Sequence, residues 1–223
     1  MAFLLDNLTA SVIAGTVILI LGSIQMRATS QRVAQQSQQI MQNRARELTT
    51  WLERDLARVG ENMTGDEEAI PETTEDGEEN PKPFYENPDD GTQEWVTEEF
   101  VFERDSIESG TLRRVETRYR IDSVDTREID GEEKSVYQLT REWRIDDGNG
   151  NWSDWEEEGG SAAGLEYFEV DLLDRNALPT DSLDEVKSIR VRFSVAAPFQ
   201  NEELSFPASR ANVVVGRYRL GGS

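Results

Sequence analysis

Acid–base chemistry in this chain has only carboxylates to draw on. Asp and Glu number 45 against 23 Lys and Arg, and neither His nor Cys occurs. The commonest general base and the commonest zinc ligand are therefore missing. Triads of the Ser-His-Asp or Cys-His kind are ruled out. No thiol is present from which a disulfide framework or a redox compartment could be read. Among so many acids, no pair stands apart as a general acid and its base, so the chain reads as non-enzymatic and without a cofactor. "DDGNGNWSDW" offers Asp146, Asp147, Asn149, Asn151 and Asp154 to a calcium ion. Its order of ligands and glycine is not that of a calcium loop, and a hairpin turn accounts for the same residues. No metal site is assigned, and calcium stays the lesser reading there and in the acid run that follows Gly60. Asn62-Met-Thr64 and Asn151-Trp-Ser153 fit the short glycan sequon.

A net charge of −22 excludes free binding to nucleic acid, since nothing offsets phosphate repulsion. Lysine occurs only at Lys82, Lys134 and Lys187, and arginine carries the remaining positive charge. An acid excess of this kind points to a surface kept soluble in salty surroundings, where its self-repulsion is screened. A melting temperature that gains nothing in molar salt would count against that hypothesis.

The carboxylate with the most unusual setting is Asp6. It precedes an apolar run from Asn7 to Met26, about 20 residues and so roughly 30 Å as a helix, the thickness of a bilayer core. "MAFLLDN" has no Lys or Arg, unlike the basic start of a signal peptide. From Arg27 the chain turns polar without breaking. "RATSQRVAQQSQQIMQNRARELTTWLERDLARVG" has no proline and no internal glycine, and it is rich in helix formers. Leu48, Leu52, Leu56 and Val59, with Trp51 alongside, are spaced as one buried stripe. Gly60 stands where a helix ends. One helix from about Leu4 to Val59 is predicted, its first half apolar and its last turns packed on something.

Residues 61–93 combine acids with Pro71, Pro81, Pro83 and Pro88, a composition that predicts a long mobile loop. Beyond it the period changes to two. Val115, Thr117, Tyr119 and Ile121 alternate with Arg114, Glu116, Arg118 and Arg120; Tyr137, Leu139, Trp143 and Ile145 alternate with polar residues. Ile189, Val191, Phe193 and Val195 alternate with Arg190, Arg192 and Ser194. Such alternation means antiparallel sheet with one face buried. The predicted class is α+β: a long N-terminal helix packed on a C-terminal antiparallel sheet of about six or seven strands. Its units are 1–26, an apolar helix half; 27–60, an amphipathic half; 61–93, the acidic loop; and 94–223, the sheet domain. The Arg-rich strand faces are expected to meet acidic surfaces of neighbours, or else cross-strand Glu within the sheet.

An acid-bearing start, a membrane-length helix running on into an amphipathic half, and a C-terminal sheet together resemble the type IV pilins and the pseudopilins of secretion systems. "QQSQQIMQNRARELTTWLERDLARVG" is similar to the helix end of their larger minor subunits, the W-type minor pilins and J-type minor pseudopilins. A second, looser likeness lies in "GLEYFEVDLLDRNALPTDSLDEVKSIRVRFSVAAP". The resemblance implies a filament subunit, with other pilin-like subunits and a membrane assembly platform as partners. It assigns Asp6 the part of the family's glutamate at the fifth mature position, which neutralises a neighbour's N-terminal amine; Asp6 is fifth if the mature chain begins at Ala2. Helix packing in membrane or filament would fall to Leu8, Val12, Ile13, Gly15, Val17, Ile20 and Gly22, and helix-to-sheet packing to Leu48, Trp51, Leu52, Leu56 and Val59. Arg27 and Arg32 follow the apolar run, and the positive-inside rule alone would leave the sheet domain cytoplasmic. The resemblance implies the opposite, a single pass with the domain periplasmic or extracellular, and that orientation is the one expected. The other reading is a membrane-anchored binding module whose helix is only a tether.

Overall fold

A computed structural model describes residues 2–63, 69–85, 95–108, 110–129, 132–160, 164–196 and 209–216. Among the described residues it has one α-helix, α1, Ala2–Leu56, unbroken through Arg27, besides a short 3-10 turn at Leu183–Glu185; the 55 residues of α1 make a rod of roughly 80 Å. Eight strands follow: β1 (Lys82–Tyr85), β2 (Trp95–Glu108), β3 (Thr111–Ile129), β4 (Glu132–Ile145), β5 (Glu156–Gly160), β6 (Leu165–Leu173), β7 (Ser188–Val195) and β8 (Ser209–Gly216). They form one antiparallel sheet ordered β1-β2-β3-β4-β6-β7-β8, with β5 paired to β4. The architecture is α+β.

Alternating strand positions supply the apolar core. Phe100 and Phe102 of β2, Tyr119 and Ile121 of β3, Leu139 of β4, Phe168 of β6, and Ile189, Val191 and Phe193 of β7 form one core with Leu48, Leu52, Leu56 and Val59. The sheet is nearly two sheets. β4 and β6 meet only at Tyr137↔Leu165, and β6 swings over β2, where the Val170 amide donates to Thr97 Oγ1 at 2.9 Å. The helix end is thereby enclosed on more than one side.

The helix ends sooner than its stripe predicts. After Leu56 the chain tightens, with Arg58 N donating to Asp55 O and Val59 N to Leu56 O. Gly60, at φ 68°, turns its amide to Glu103 O on β2 at 2.9 Å, a conformation that glycine adopts at little cost.

The loop predicted over 61–93 needs correction within 69–85. Ala69 and Ile70 are buried in the core, and β1 pairs with β2. Asn80 is 4% exposed. Its Nδ2 donates to Pro71 O and Val101 O, both at 2.8 Å, while Oδ1 accepts from Val101 N at 3.0 Å. Composition misses this because two apolar residues and one fully satisfied amide hold the segment, where a hydrophobic average sees only acids and prolines. The remaining parts of that stretch, 64–68 and 86–94, lie outside the described residues.

Candidate assembly and membrane interface

Among the described side chains, the first part of α1 is exposed. Val12, Ile13, Val17, Ile18, Ile20, Leu21 and Ile24 are all exposed, with Leu19 at 75% and Met26 at 74%, whereas Leu52 is at 0%. The helix contains a stretch long and apolar enough to cross a membrane. Two of its hydroxyls bond back to the helix: Thr16 Oγ1 donates to Val12 O and Ser23 Oγ to Ile20 O, each at 2.8 Å. That removes the donors that lipid would otherwise leave unpaired. Gly15 and Gly22, seven residues apart on one face, have open space where a Cβ would stand, room for a close neighbouring backbone. Asp6 and Leu8 fall within α1, but their side chains lie outside the described residues.

The rod is seated on the sheet through a stripe longer than the sequence indicates. Ser37, Met41 and Ala45 are buried upstream of Leu48, the first of them about three turns before the leucine spacing begins. Small or flexible side chains fill these places, and the polar Ser37 among them interrupts the leucine repeat. Trp51 is only partly buried and meets Tyr119 edge-on, centroids 5.6 Å apart at 71°.

Beside that contact is a charged lock that spacing could not reveal. Asp55, 4% exposed, pairs with Arg141 of β4, 6% exposed, and accepts from Tyr119 Oη of β3 at 3.0 Å. Arg141 also reaches Glu158 of β5. Burial, reinforced by the charge of Asp55, holds the Tyr119 phenol well above its ordinary pKa. Burial works against the charge on Arg141, yet Asp55 beside it leaves its pKa raised. The group ties the last helical turn to three strands.

The strand arginines, expected to meet neighbours or cross-strand acids, are engaged within the sheet. Arg118 pairs with Glu142 at 2.6 Å, Arg190 with Asp171 at 2.8 Å, Arg120 with Asp122 at 3.3 Å and Arg114 with Asp105 at 3.4 Å, while Arg192 holds Glu169. Trp155 lies against Arg118 and Arg144, 4.0 and 4.3 Å from their guanidinium carbons, and Arg144 also faces Trp152 at 5.1 Å. Trp155 Nε1 donates to Glu75 at 2.9 Å. The tryptophan pair thus packs the turn after β4 onto the sheet.

In that turn the carboxylates face their own backbone. Asp146 Oδ1 accepts from Gly148 N and Gly150 N, and Asp147 Oδ1 from Asn149 N and Asn151 N. The side-chain amide of Asn151 and these backbone donors lower the Asp147 pKa from 3.8 to about 2. Among the described residues no cluster of acids is arranged to hold a metal. A groove of about 740 Å³ opens between the β1–β2 side and the stretch after β6, bordered by Glu72, Glu79, Asp181 and Asp184.

Compared with protein-family models, with curated proteins and with solved structures, the chain has no match.

Proposed function

We propose that this protein is a membrane-inserted structural subunit of a type IV pilus-like or secretion pseudopilus filament, of the minor or tip type, assembled through its N-terminal helix. The observation that carries this reading is the division of one continuous helix. Residues 10–26 are bare and apolar, and Ser37 to Val59 are seated in a folded sheet. A bare apolar rod is unfavourable in water. Lipid satisfies it in the single subunit, and neighbouring rods satisfy it in a filament, with Gly15 and Gly22 allowing close approach. Asp6 would then lie among helices, where an unpaired carboxylate is costly and a partner's amine offsets that cost. The sheet domain lies outside the cytoplasm in this reading.

Replacing Asp6 by Ala in the full chain tests it. Capture of co-assembled pilin-like subunits from the host membrane should fall sharply while membrane insertion persists. Undiminished capture would remove Asp6 from assembly. A total lack of captured subunits with the native chain would favour the second reading, a tethered binding module, which the open groove beside Asp181 and Asp184 supports.

A further inference from the structure

The charge of this molecule is unevenly placed. Between Asp6 and Glu47 there is no acidic residue, and the charges there are Arg27, Arg32, Arg44 and Arg46, in a chain of net −22. None of these four arginines has a partner among the described residues, in contrast to the paired arginines of the strands. Arg32, Gln39 and Arg46 recur every seven residues and so share a face. That face is turned away from Ser37, Met41, Ala45 and Leu48, which bury against the molecule's own sheet. Arg32, Gln35, Gln39, Asn43 and Arg46 are all exposed. The two arginines stand about 21 Å apart along the rod, directed where their own head cannot reach. The groove offers the opposite sign: Glu72, Glu79, Asp181 and Asp184 are exposed there and have no ion pair among the described residues.

We infer that the back face of the stem, Arg32 to Arg46, is a docking surface for the acidic head of a second copy of this chain. This rests on the proposed assembly through the helix, and deepens it by naming the surface of the neighbour that the stem meets. From Ser37 onward the stem lies alongside its own sheet, so its back face is level with a head and open to the head of a copy packed beside it. Complementary charge then selects which faces meet, while apolar packing supplies the affinity.

The absence of cysteine makes the test direct. Full-length Gln39→Cys and full-length Asp184→Cys chains are mixed in liposomes and joined with a short bis-maleimide. A stem-to-head heterodimer should exceed both homodimers. Its yield should fall about tenfold with Arg32→Glu/Arg46→Glu in the stem partner, because reversal opposes like charges. Yield should return when the head partner carries Glu72→Lys/Asp181→Lys. A Val17→Cys pair reports the rods separately. If rods still cross-link while stem-to-head yield ignores the reversal, the docking surface is wrong and assembly stands. If Val17→Cys pairs also fail, assembly itself is wrong. Protection of Gln39→Cys only in vesicles rich in anionic lipid would give the stem to the membrane and overturn the inference.

Discussion

At the scale of the residue, one buried carboxylate ties the end of the helix to the sheet. Asp55 sits in the last turn of α1 and meets Arg141 and Tyr119 on two strands. A buried ion pair contributes little by comparison with a well-packed apolar substitute, but removing one partner leaves an uncompensated charge. Arg141→Ala is therefore predicted to destabilise the folded domain by about 3–5 kcal/mol. Tyr119→Phe, which removes one donor to the same carboxylate, should cost about 1–3 kcal/mol. Urea unfolding followed by intrinsic tryptophan fluorescence checks both, since Trp51 lies against Tyr119. The account of the lock fails if Tyr119→Phe proves the costlier change. None of this could be read from residues 86 positions apart; in the sequence Asp55 is one acid among many.

At the scale of the element, periodicity carries most of the information, and its failures have a common cause. Leu48, Leu52 and Leu56 identify the buried stripe because leucine contrasts with Arg and Glu around it. The same stripe continues through Ser37, Met41 and Ala45, where a serine and single small or flexible residues replace the leucine repeat, so its true length shows only in the structure. Strands β3, β4 and β7 are legible from alternation. Segment 69–85 is not, because one buried side-chain amide at Asn80 does the work that several apolar residues would do elsewhere. The Arg faces of the strands illustrate a further limit: alternation places them outward but is silent on whether Glu142 or Asp171 lies opposite. The division within α1 makes a prediction of its own. Leu52→Ala should cost about 2–5 kcal/mol, the range for truncation in a packed core. Leu19→Ala should cost under about 0.5 kcal/mol in detergent, because it has no contact within the chain to lose. Chemical denaturation of both variants is the check, and equal effects would contradict the picture of a bare half and a seated half.

At the scale of the whole molecule, three zones adjoin one another. An apolar rod is succeeded by a basic stem, and an acidic sheet domain is seated on that stem from Ser37 to the helix end. The zones differ in what they expose: apolar side chains on the first, arginines on the second and mostly acids on the third. Fold class was legible because the zones differ so sharply in composition. The identity of any partner was not, since a rod of this kind serves a filament or a tether equally well until its neighbours are known.

The central claim is that α1 crosses from lipid to water as one helix near Arg27. Single cysteines at Val12, Leu19, Met26, Gln35 and Gln39 of the full chain in liposomes, treated with a membrane-impermeant maleimide, test it most directly. Val12→Cys and Leu19→Cys should stay unlabelled while Gln35→Cys and Gln39→Cys react fully, with the change falling beside Met26. Labelling of Leu19→Cys as fast as that of Gln39→Cys would contradict the account.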